Sequence, residues 1–167
     1  MGAPGTVYAL MLTSTDSAAR AVEVADAIVR VNPANAGSWW SLATAYLSSG
    51  DPSRAVEALK QALVVDDRQY LDFAPTFAAA GEHLRARELL ERGQAEGASN
   101  WKVGMVLAAL GDIDEAFQLF DRASPNWFSR DWQSRGWLEY SPDYAQLRAD
   151  PRFPALLARL KKELDLE

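Results

Sequence analysis

Cysteine is absent from the 167-residue chain, which excludes disulfides, thiolate metal sites and cysteine nucleophiles together but is silent about compartment. Histidine occurs once, as His83. It follows a turn at the start of a helix and reads as a solvated or capping residue, and no spacing around it builds a metal site. Positive charge is the minority: 17 Lys and Arg stand against 23 Asp and Glu, a net charge of −6. That balance argues against a broad nucleic-acid or anionic-membrane surface, both of which need clustered Lys and Arg. A basic or apolar partner fits better. No apolar run approaches the roughly 18 residues of a membrane-spanning helix. Gly-rich phosphate loops, Walker motifs and the Gly-x-Ser-x-Gly elbow are missing too. Asp112 and Asp114 repeat the helix-start chemistry seen elsewhere in the chain and do not form a cation site. The expectation is a protein that is not an enzyme and has no cofactor and no metal.

What remains is the composition of a folded, helix-rich chain, with 49% hydrophobic and 24% charged residues and only 10 Gly and 8 Pro. The length suits one domain or one continuous solenoid with a cap. The start, Met1 to Ser14, has a short apolar run from Val7 to Leu12 but no basic n-region and no small-residue cleavage site. It reads as helix and not as a signal peptide, and suggests a piece of a larger chain. Placement is read as cytoplasmic, with a periplasmic part of a larger protein as the alternative.

A turn followed by a fixed ladder recurs along the chain. Gly50-Asp51 leads to Ala55, Leu59 and Ala62; Gly81-Glu82 to Ala86, Leu90 and Gly93; Gly111-Asp112 to Ala116, Phe120 and Ala123. An earlier copy has Asp16 in the glycine's place, then Ala21, Ala25 and Ile28, and the copies are 34, 31 and 30 residues apart. Glycine takes a left-handed conformation cheaply and ends one helix, while the acidic neighbour is expected to cap the next and face its positive end. Small and apolar residues at offsets of four and three make one helix face on which Ala permits close approach. Upstream of each turn runs a partner helix with a large-large-small-large pattern: Trp39, Leu42, Ala43, Tyr46; Tyr70, Phe73, Ala74, Phe77; more loosely Asn100, Val103, Gly104, Leu107. Each unit is therefore a helical hairpin. Pro75 interrupts the third partner helix, and a kinked helix is favoured over one that starts near Ala74 because Tyr70 and Phe73 keep the ladder in register. On the surface, Glu88 is placed to meet Arg92 at i+4.

The run Trp39-x2-Leu42-Ala43-x2-Tyr46-x8-Ala55-x3-Leu59-x2-Ala62 resembles the tetratricopeptide motif residue for residue, with Pro33 where the preceding repeat would carry its closing proline. The later units are a few residues shorter than 34, and the third and fourth lack the tryptophan and the closing proline. The resemblance covers roughly residues 5 to 123 and implies an all-α, right-handed α-solenoid of about four hairpins. In this family a well-known peptide mode clamps a C-terminal carboxylate with Lys, Asn and Arg. At the matching places this chain has Thr6, Leu10, Ser41, Arg68 and Asp72, so no such clamp is expected.

The division expected is residues 1–123 as repeat solenoid and 124–167 as an aromatic-rich linker with C-terminal capping helices. Asp51-Pro52, Ser124-Pro125, Ser141-Pro142 and Asp150-Pro151 are N-caps followed by proline. A final amphipathic helix, Pro151 to Leu164, carries Phe153, Leu156, Leu157, Leu160 and Leu164 on one stripe, suited to closing a solenoid. Trp127, Phe128, Trp132, Trp137 and Tyr140 read as fastening this cap, with a second binding patch as the alternative. The stretch from Leu147 to Leu157 resembles the ending of tetratricopeptide regions in bacterial multidomain regulators.

The function these features imply is a scaffold binding a peptide or protein segment in a concave, partly apolar groove. The alternative is a structural or self-association module of a larger regulatory protein, and hence a homo-oligomer. With Trp39, Leu42 and Tyr46 packing between hairpins, the stripe about 100° further round holds Trp40 and Thr44, then Leu71, then Trp101 and Met105. These five are the candidate partner-binding residues. Trp40→Ala and Trp101→Ala are expected to weaken binding while costing less stability than Trp39→Ala.

Overall fold

Glycine at three evenly spaced turns sets the architecture. In a computed structural model, which describes residues 18–123, 138–139 and 141–163, Gly50, Gly81 and Gly111 have φ of 79°, 88° and 90°. This left-handed conformation is one that a Cβ resists. Each turn closes with the same bond, from the N–H after the glycine to the carbonyl five residues back: Asp51 to Tyr46, Glu82 to Phe77 and Asp112 to Leu107, each 2.9 Å.

Among the described residues the chain is nine α-helices without a strand: α1 Ala18–Val31, α2 Ala36–Ser48, α3 Pro52–Val65, α4 Tyr70–Ala79, α5 His83–Ala95, α6 Asn100–Leu110, α7 Ile113–Arg122, α8 Ala145–Ala149 and α9 Phe153–Glu163. Short 3-10 turns, Asp67–Gln69 and Pro142–Tyr144, lead into α4 and α8. Hairpins α2/α3, α4/α5 and α6/α7 stack in order, with α1 against α2. This is a helical-repeat solenoid. The starting run at Met1 to Ser14 and the five aromatics from Trp127 to Tyr140 lie outside the described residues.

Most ladder residues are in the core, while Ile28 and Ala123 at the ends of their ladders are only partly buried. Ala21, Ala25, Ala55, Leu59, Ala62, Ala86, Ala116 and Phe120 are fully buried, and the alanines let second helices lie close on first ones. Gly104 takes this furthest, because a Cβ built there would stand 2.7 Å from Cε1 of Phe120 and 3.3 Å from the Ala116 carbonyl oxygen. Gly104→Ala is expected to cost about 1–3 kcal/mol by overpacking, despite alanine's better helix propensity. Adding Phe120→Leu should recover part of that loss in denaturant titrations, and simple additivity of the two losses would count against this contact.

Several local expectations are corrected. Asp51 caps α3 by accepting from the N–H of Arg54 at 3.0 Å, but neither Glu82 nor Asp112 makes a side-chain cap bond. Asp112 is drawn instead to Arg87, 3.1 Å away on α5. Glu88 pairs with Arg85 at 2.8 Å, one turn toward the N-terminus, and Arg92 with Glu96 at 2.9 Å. Arg92 also lies over the Tyr70 ring, which holds it away from Glu88. Pro75 sits inside one continuous α4, so the shorter-helix alternative does not form. The final helix starts at Phe153, with Asp150 accepting from the Arg152 N–H at 2.9 Å. His83 is the exposed first residue of α5.

Candidate functional site

The first helices of the hairpins, α2, α4 and α6, line one face of the stack, and the chain returns across it. The Pro142–Tyr144 turn packs on all three helices, and α8 continues along α6. Ser141 starts the turn as its cap, with its Oγ accepting from the Asp143 N–H at 3.3 Å. Arg148 clasps it from below, donating Nη1 to the carbonyls of Ser141 at 2.7 Å and Leu138 at 3.1 Å.

Thr76 is the hinge of the contact. Its hydroxyl donates to Oδ2 of Asp143 at 2.9 Å, while the indole N–H of Trp40 donates to the same hydroxyl at 2.8 Å. The relay therefore runs from α2 through α4 into the returning segment, and donors and acceptors are matched at each step. Asp143 is 5% and Tyr144 2% exposed. Burial first, then the charges of Asp143 and Asp72, pushes the Tyr144 phenol well above the ordinary tyrosine range. Burial also lowers Arg148, against the opposing pull of Asp143. At the edge, Asp72 of α4 holds Lys102 of α6 at 2.7 Å.

The five sequence-derived residues divide by position. Trp40 bridges between hairpins, its ring tilted at 5.5 Å from Phe73 and its N–H on Thr76. Thr44 is buried and bonds back to the Trp40 carbonyl. Leu71 leans inward on α5, where its methyls would meet a Cβ on Gly93 at 2.9 Å. Trp101 leans inward too, its ring tilted against that of Phe120 of α7 with centroids 4.8 Å apart. Met105 is at the border of burial, 9% exposed. On α4 the side chains that face the returning segment lie one step further round, Asp72 beside Leu71 and Thr76 beside Pro75. Asp72 and Thr76, an i,i+4 polar pair on an otherwise apolar helix, were missed as site residues. For Asp72 the signal was present: nine residues before each turn glycine stands a polar residue, Ser41, Asp72 and Lys102.

Among the described residues, no group of three or more His, Cys, Asp or Glu could hold a metal ion, and no helix is long and apolar enough to cross a membrane. The arrangement offers hydrogen bonds and buried surface. A family model described as Tetratricopeptide repeat matches residues 16–70 and 71–128. No curated protein and no solved structure matches the chain.

Proposed function

The chain belongs to the tetratricopeptide repeat family, and from that premise we propose that it is a scaffold binding a protein or peptide segment on the face of α2, α4 and α6. Repeats of this family generally mediate protein–protein interaction and are typically non-catalytic. One observation carries the location: this face already receives a short segment of chain, Ser141 to Tyr144, and buries a carboxylate and a phenol from it. A surface that accommodates its own chain in this way has the depth and the hydrogen-bonding groups to accommodate another's. In this reading Trp40, Thr44 and Met105 border the face, Leu71 and Trp101 support it from within their hairpins, and Asp72, Thr76 and Lys102 supply its polar stripe. Residues 1–123 are the recognising stack and 124–167 the closing unit.

The test is site-specific photo-crosslinking. A crosslinking residue at Lys102 should trap the partner, whereas one at Leu84, exposed on α5, should not. Trapping at Leu84 alone would move the binding surface to the second helices. The same occupancy favours a second reading, a structural or self-association module whose face is filled by its own cap or by that of a sister chain. Light scattering separates the two, since a self-association module is a stable oligomer without any other protein.

A further inference from the structure

Resting on that reading of the face, we propose that the partner presents the chemistry of Pro142 to Tyr144, a carboxylate followed directly by an aromatic ring, and binds by displacing this segment. The segment is organised by its own residues. Ser141 caps it and Arg148 clasps the carbonyls of Leu138 and Ser141. The described bonds that shape the turn's backbone thus lie between Leu138 and Arg148, and another chain could supply the same kind of turn.

The choice of residues in the segment points the same way. A plug whose only task was to fill an apolar face would be most stable if apolar, because burying a carboxylate carries a heavy desolvation cost. Asp143 is buried nonetheless, with a hydroxyl donor aimed at it from Thr76 and that hydroxyl held in place by the Trp40 N–H. A donor so placed selects an acceptor, and the buried slot beside it selects a ring. Lys102 on the polar stripe is engaged by Asp72 at 2.7 Å, and the Thr76 hydroxyl gives the acid a directional hydrogen bond. While the segment is in place it competes with any partner and lowers apparent affinity by the fraction of open molecules.

The probe is a fluorescein-labelled peptide with the sequence from Leu138 to Ala149, titrated by anisotropy into the full chain and into its Tyr144→Ala variant. The variant's own segment is weakened, so the peptide should bind it at least about 10-fold tighter than the unaltered chain. Adding Thr76→Val should remove about 10-fold of that affinity, and a peptide carrying Asp143→Asn should bind correspondingly less. Equal binding to both chains, or none to a Tyr144→Ala chain with an unchanged circular dichroism spectrum, overturns the proposal. So does a Tyr144→Ala dimer in light scattering, which would make a second copy the occupant. If Tyr144→Ala does not fold, amide exchange on the unaltered chain decides. The Tyr144 and Asp150 amides should exchange about 100-fold faster than those of Ala55 and Ala86, and one common rate overturns the inference. Crosslinking of the partner at Lys102 without competition by the peptide would defeat this inference and leave the binding face intact; crosslinking at Leu84 alone would defeat both.

Discussion

Replacing Phe120 by alanine is expected to lower the unfolding free energy by about 3–5 kcal/mol. The ring is fully buried at the centre of the last hairpin. It lies tilted against Trp101 at 4.8 Å and meets Phe117 edge-on at 6.1 Å, pairings that add about 0.5–1.5 kcal/mol to the burial itself. Collapse into the hole is opposed on two sides. Gly104 offers no side chain to move in, and the Phe120 carbonyl is held by Arg159 Nη2 of α9 at 2.8 Å. Denaturant titration should show a lower midpoint, and Phe120→Leu should lose well under half as much. A loss below about 1 kcal/mol would mean that the last hairpin does not share the stack's cooperative transition.

Deleting Asp150 to Glu167 should produce the second large effect, a fall in melting temperature accompanied by self-association. Phe153, Leu156 and Leu160 are 8%, 4% and 2% exposed, and each buried side chain of this kind is worth about 1.5–3 kcal/mol gross. The ion pairs from α9 and its lead-in, Arg152 with Asp114 at 2.7 Å and Arg159 with Asp121 at 3.0 Å, are exposed and screened by solvent, so they contribute little. Apolar burial therefore decides the outcome. Arg152 acts mainly as cover, its guanidinium lying 4.2 Å from the centre of the Phe117 ring. Its hydrogen bonds hold the adjoining Asp150 carboxyl down to about 2. A truncated chain that stays monomeric with an unchanged melting temperature would show that α9 is not a cap.

The hairpins were legible because their determinants are local. Gly50, Gly81 and Gly111 mark turns wherever they occur, and the offsets to Ala55, Ala86 and Ala116 follow from helical periodicity alone. Capping was less legible, since it depends on competitors from other hairpins. Asp51 finds its own helix start, whereas Asp112 meets Arg87 from α5. The candidate stripe on α4, read at Leu71, lies one position from Asp72, and Thr76 lies one position from Pro75. A helical wheel separates Trp40, Thr44 and Leu71 from the packing stripe but cannot say which way a large ring will lean once a neighbour offers room. Trp101 turned to Phe120 beside Gly104, and Leu71 to Gly93. Thr76 remained hidden for a different reason. Its partner Asp143 is 67 residues away, and no repeat pattern encodes which part of the chain will come back across the stack.

That separation has a consequence for the order of synthesis. The hairpins are assembled from neighbours, so α2, α4 and α6 are complete once Leu110 has been added, whereas their cover ends at Ala149. At about 5–20 residues per second, the stretch from Leu110 to Ala149 takes roughly 2–8 seconds to make, so the three helices leave the ribosome ahead of the turn that covers them by about that time. Closure of the long loop to Thr76 then comes last, because its entropy cost is set against few contacts until the whole turn has formed. In that interval the face of α2, α4 and α6 stands uncovered.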